Sequence, residues 1–148
     1  MEVIINDKIV YLPVGFELPP SFMYMVESGV ELTANGCGSR GFSLCAADFV
    51  QWLFMVDLSP ACWVHDVCYD VPDDMKSLEN KLRDDMCFHL NVEEICYLSG
   101  LSEWKTEFIS RVFHTLLILH GDDAYFIGKS KGKHSYNQWL KNKLSRKK

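Results

Sequence analysis

A histidine and an aspartate stand side by side at His65 and Asp66, with Cys62 one helical turn before them and Tyr69 one turn after. On a helix, Cys62, His65, Asp66 and Tyr69 fall at i, i+3, i+4 and i+7, which is one face. That face carries a thiol, an imidazole, a carboxylate and a phenol, where a face built only for packing would more often be aliphatic. An imidazole can take a proton from water near neutral pH. A carboxylate beside it can hold a hard cation.

An adjacent His-Asp pair is common, and alone it describes a helix surface. The loop Asn35-Gly36-Cys37-Gly38-Ser39-Arg40-Gly41 adds weight. Calcium takes about six to eight hard oxygens, several of them often backbone carbonyls from a tight turn. Glycines allow the carbonyls of such a turn to point inward together. Asp66 would close the shell from the helix with its carboxylate.

These groups need elements to hold them. Ser59-Pro60 opens a helix, with Ser59 as cap and Pro60 in the first turn, running to about Asp70. Val71-Pro72-Asp73-Asp74 turns the chain. A second helix is expected from about Met75 to Leu90, with Met75, Leu78, Leu82 and Met86 at helical spacing, and a third from about Ser102 to His120, stopping at Gly121. The short connection makes the first two antiparallel. Residues 1–22 read as one or two short strands, and Leu44–Leu58 has no clear period. The fold class is therefore mainly α with a short N-terminal β segment.

At 148 residues and 48% apolar, the chain reads as one compact domain over residues 1–128 followed by a basic tail, 129–148. The tail holds seven Lys, one Arg and no acid; against a chain charge of −5, its +8 leaves −13 for the rest. Such a tail suits an anionic membrane surface or an acidic protein or particle partner, and equally a solvated terminus, while the acidic body argues against broad nucleic-acid contact. No signal peptide and no membrane-spanning stretch are legible. Six cysteines (Cys37, Cys45, Cys62, Cys68, Cys87, Cys96) allow three disulfides, which suits an oxidising compartment or a packaged particle. No Cys-x-x-Cys spacing favours zinc.

The run Cys62-x-x-His65-Asp66-x-Cys68-Tyr69 resembles the active-site helix of phospholipase A2, and Gly36-Cys37-Gly38-x-x-Gly41 resembles that family's calcium loop. Both occur in the family's order, covering roughly residues 33–90. The resemblance implies a phospholipase A2-like scaffold: two antiparallel helices carrying the site, a calcium loop, and a further C-terminal helix. It implies Ca2+ held by Asp66 and by the carbonyls of Gly36, Gly38 and Arg40, with His65 as general base. A loop N–H, that of Gly38, would help hold the oxyanion. It also implies a Cys37–Cys62 disulfide tying loop to helix, and Tyr69 donating to the acid that orients His65. Arg40 stands where the family usually has glycine, and Ala61 where it usually has a second cysteine. Leu12-Pro13-Val14-Gly15-Phe16 and Gly121-x-x-Ala124-Tyr125 also resemble segments of short phage-encoded proteins of this type, which would place the chain in a virion or export it by a route other than its own signal.

A general-base histidine needs its second nitrogen held by a carboxylate. With Leu82 at the centre of the second helix's apolar stripe, Glu79 and Asp85 flank it at roughly 60° on either side, while Asn80 and Asp84 point away. A turn centred near residue 72 or 73 places residue 80 level with His65, which selects Glu79 and leaves Asp85 in reserve. His89, His114 and His120 read as ordinary surface or half-buried residues. The reaction implied is calcium-dependent hydrolysis of the sn-2 ester of a glycerophospholipid. The alternative is a structural or interaction protein, such as a virion component, that keeps the scaffold without turnover.

Overall fold

The structure is a computed structural model and describes residues 1–5, 8–29, 49–126 and 144–145. It is mainly helical with one short antiparallel sheet. Strands β1 (Glu2–Ile5) and β2 (Lys8–Tyr11) pair in the register Val3↔Val10. The Met1 amine donates to the Leu12 carbonyl at 2.7 Å and Leu12 N–H returns to Met1 O at 2.9 Å, extending the ladder past the strand ends.

Helices among the described residues are α1 (Pro20–Glu27), α2 (49–54), α3 (Ser59–Tyr69), α4 (Leu78–Leu98) and α5 (Glu103–Phe126), with residues 144–145 also helical. Ser59 does not cap α3 through its side chain. The Asp57 carboxylate accepts the Ser59 N–H instead, at 2.9 Å, and bonds from Ser59 hold that carboxyl below its usual range.

The bend after α3 is longer than the sequence suggested. A 3-10 turn at Asp73–Met75 is followed by the Ser77 hydroxyl, which caps α4 by accepting from Asn80 N–H at 3.0 Å. The second helix therefore starts at Leu78 rather than Met75. It also runs on to Leu98, past the expected end at Leu90. Gly100, at φ 75°, then closes it: Leu101 N–H reaches Cys96 O and Gly100 N–H reaches Tyr97 O, a Schellman ending. The third long helix passes through Gly121 to Phe126 instead of stopping there.

α3 and α4 run antiparallel: His65 meets Phe88 (ring centroids 4.9 Å), and Tyr69, one turn further along α3, meets Lys81, two turns earlier on α4. α5 returns antiparallel along α4, with Phe113 against Phe88 and His114 against His89, and with Leu117 and Asp122 near Lys81. α1 covers α3 through Phe22, fully buried and edge-on to Trp63. Asn91, also fully buried, clamps the segment before α1 to α4: its carbonyl accepts Glu17 N–H at 2.7 Å and its amide donates to Glu17 O at 2.9 Å. Each such buried bond contributes on the order of 1 kcal/mol, and more is lost if one partner is left unmade.

The buried face of α4 is polar to an unusual degree. Lys81, Asp84, Asp85 and Asn91 lie inward with Phe88, Val92, Ile95 and Cys96, while Leu78, Leu82, Met86 and Leu90 are 40–51% exposed. The apolar stripe read from spacing is thus the outer face of the helix. No helix among the described residues is long and apolar enough to cross a membrane.

Candidate active site

α3 brings His65 and Tyr69 to the α4 interface because they are one turn apart on its inner face, with Val64, Val67 and Cys68 packed around them. His65 is 6% exposed, its ring held between those of Tyr69 (centroids 4.1 Å) and Phe88 (4.9 Å). Its Nε2 lies 2.8 Å from Asp85 Oδ1. The Tyr69 hydroxyl donates to the same oxygen at 2.6 Å. The Lys81 ammonium donates to the other, Oδ2, at 2.6 Å. A carboxylate is an acceptor only, so Nε2 carries the shared hydrogen, and Nδ1 is left as the proton-accepting nitrogen of the neutral ring.

Asp85 is fully buried. Burial raises its carboxyl pKa, but the hydrogen bond and charge of His65, with Lys81 behind them, outweigh this and hold it below the ordinary value. The Tyr69 phenol is pushed well above its usual range, by burial first and then by the negative charge of Asp85. Asp85 is therefore ionised and Tyr69 protonated at neutral pH, the states their hydrogen bond requires.

Glu79 is not the partner of His65. It is exposed, in the first turn of α4, where its charge suits the helix N-terminus. Two features of the chain explain the correction. Midway between His65 and Asp85 lies Met75, because the 3-10 turn and the extended residues before Leu78 move the bend away from residue 72. In addition, Leu82 faces outward, so flanking it was no criterion for facing α3.

Asp66 follows His65 and is partly buried. The calcium-loop residues Gly36, Gly38 and Arg40 lie outside the described residues. Among the described residues, no group of three or more His, Cys, Asp and Glu side chains is placed to hold a metal ion. The Asp66 carboxylate beside His65 is a hard oxygen donor of the type that calcium takes.

No two described cysteines are joined to each other: Cys68, Cys87 and Cys96 are free thiols. Cys37 and Cys45 lie outside the described residues, and the expected Cys37–Cys62 pairing with them. Most of the basic tail lies outside them too, and the boundary at residue 128 with it.

Sequence reasoning missed Lys81, and the outward direction it gave Asp84 is corrected by the burial of that side chain. Lys81 is 1% exposed, and its Nζ also approaches Asp122 Oδ1 and Leu117 O, both at 3.4 Å. Asp84 is 1% exposed, and neither of its oxygens has a hydrogen-bond partner among the described residues. Burial raises its carboxyl to about 7, with the nearby Ser21 hydroxyl and Arg83 opposing the rise in part. The available signal was the run Lys81-x-x-Asp84-Asp85, whose i, i+3, i+4 spacing places all three on one face.

Comparison with protein-family models, with curated proteins and with solved structures found no match to this chain.

Proposed function

We propose that the chain is a phospholipase A2-like, calcium-dependent ester hydrolase acting on the sn-2 bond of glycerophospholipids. The observation that carries this reading is the buried contact of His65 Nε2 with Asp85 Oδ1, to which Tyr69 also donates. It leaves one imidazole nitrogen positioned, and the other free in tautomer to act as a base on water. The resemblance of the Cys62–Tyr69 run and of the glycine loop to phospholipase A2 supplies the substrate class.

In this mechanism His65 Nδ1 takes a proton from a water molecule as the water oxygen bonds to the ester carbonyl carbon. Asp85 holds the ring and stabilises the imidazolium that forms, and Lys81 and Tyr69 keep that carboxylate in place. The imidazolium then returns the proton to the departing glycerol oxygen as the carbon–oxygen bond breaks, giving fatty acid and lysophospholipid. No acyl-enzyme is needed. Asp66 and the carbonyls of Gly36, Gly38 and Arg40 would hold calcium, which would supply positive charge at the ester carbonyl. The Gly38 N–H would assist there.

A Cys37–Cys62 disulfide would tether loop to helix. The basic tail, with Trp139, Leu140 and Leu144, would dock the enzyme on an anionic bilayer. Carriage in a phage particle remains part of this reading.

Isothermal calorimetry tests the metal requirement. The wild-type protein is expected to bind Ca2+ and Asp66→Asn to lose at least tenfold in affinity. Equal binding by the two would remove the proposed site.

A further inference from the structure

Lys81 is a buried lysine with no role in the hydrolysis as the resemblance implies it. Burying an ammonium is expensive unless its charge and hydrogens are matched. Here they are: Asp85 Oδ2 at 2.6 Å, Asp122 Oδ1 at 3.4 Å and Leu117 O at 3.4 Å. The Asp122 side chain is 40% exposed, so the strong contact is the inner one.

Space for this arrangement comes from α5. A Cβ on Gly121 would lie 2.9 Å from the Tyr69 hydroxyl and 3.3 Å from Lys81 Nζ. Gly121 sits in mid-helix, where glycine weakens the helix by about 1 kcal/mol relative to alanine. Its place is explained by the two donors it makes room for, both of which end on Asp85.

The carboxylate of Asp85 has two ends. His65 and Tyr69 occupy Oδ1, and Lys81 occupies Oδ2. Without Lys81, nothing else in the described residues bonds to Oδ2, and the carboxylate could rotate and offer either oxygen to the imidazole. Because Lys81 also reaches Leu117 and Asp122, it anchors the acid to α5 as well as to its own helix.

We propose that Lys81 is a positioning residue: it fixes the carboxylate plane of Asp85, and through it the tautomer and orientation of the His65 base. This rests on the hydrolase reading for its kinetic consequence, and on the geometry alone for its spectroscopic one.

The test uses the full chain and two readouts. The first is the downfield proton signal of the His65 imidazole N–H in NMR spectra, assigned by its loss in His65→Gln. Lys81→Met is expected to broaden or abolish this signal, and Lys81→Arg to retain it. The second is hydrolysis of phospholipid vesicles, where Lys81→Met is expected to lower kcat 10- to 100-fold with KM within twofold, and Lys81→Arg to restore at least a third of the loss on a logarithmic scale. A folded Lys81→Met with an unchanged His65 signal overturns the proposal. If the wild type hydrolyses nothing while the signal still depends on Lys81, the hydrolase reading fails and the positioning role stands. Should Lys81→Met not fold, the wild-type protein decides: the Lys81 ammonium is expected to exchange slowly with water and to show through-bond coupling to the Asp85 carboxylate carbon. An ammonium exchanging as fast as those of surface lysines overturns it.

Discussion

His65 and Tyr69, one turn apart on α3, meet on a single oxygen of Asp85, at 2.8 and 2.6 Å. That oxygen spends its two lone pairs on two donors from the same helix, so the position of the imidazole on α3 is set by α4. The remaining carboxylate oxygen is held by Lys81. Each side chain here is constrained by another, and substitutions should separate their contributions.

Tyr69→Phe removes one donor and little packing, since the ring stays edge-on to Tyr125 (centroids 4.9 Å). Asp85 keeps His65 and Lys81. We expect a loss of about 1.5–3 kcal/mol in urea unfolding, the usual cost of one missing buried bond to a charged group, and a fall of up to roughly tenfold in turnover. An unchanged unfolding midpoint would contradict the assigned hydrogen bond.

Asp85→Asn and Glu79→Gln distinguish the two acids directly. Asn can offer Oδ1 to only one proper set of donors and cannot balance an imidazolium, so turnover should drop at least about 100-fold, in the range typical for loss of an orienting carboxylate. Glu79→Gln should stay within twofold in turnover and lose only about 0.3–1 kcal/mol from the helix N-terminus. The reverse pattern would restore Glu79 as the orienting acid.

Why Glu79 looked right shows what sequence can and cannot carry. The helix α3 and the order of its side chains were legible, because type and spacing within one helix place Cys62, His65, Asp66 and Tyr69 without reference to anything else. So were the existence of three long helices and the short sheet. The facing residue on α4 was not, since it depends on where a bend is centred, and the three-residue 3-10 turn with the extended residues before Leu78 moves that centre to Met75 and the level residue from 80 to 85. The exposed row Leu78, Leu82, Met86 and Leu90 compounded this: apolar spacing marks a face, and only packing says whether the face is inside. Gly121 misled in the same way, as a helix stop by type and a packing necessity in place.

Asp84 should make stability depend on pH. Its carboxyl is raised to about 7 in the folded protein, chiefly by burial. Between the ordinary carboxylate value and about 7, the native state holds a proton that the unfolded chain has released, so stability falls as pH rises through that window and levels off above it. Asp85 acts in the opposite sense and only in acid: being lowered, it contributes stability above its ordinary value that is lost as pH falls toward its folded pKa. Asp84→Asn removes the first effect. Relative to wild type, its Tm should be near unchanged at pH 4 and higher by at least roughly 3 °C at pH 8, about 1 kcal/mol for a chain of this size. Parallel Tm curves for the two proteins across that range would contradict this.

Gly121→Ala would ordinarily strengthen a helix by about 1 kcal/mol. Here the added methyl meets the Tyr69 hydroxyl at 2.9 Å and the Lys81 ammonium at 3.3 Å. We expect net destabilisation in urea, with a lower turnover as the two donors are displaced from Asp85. A stabilised variant would show that this space is not needed.

The central claim is tested most directly by fatty-acid release from anionic phospholipid vesicles carrying a distinct acyl chain at each position. The wild-type protein with Ca2+ should release the sn-2 chain, release should stop with a chelator, and His65→Gln should be inactive while folded. Absence of release by the wild type, or equal release by His65→Gln, would contradict it.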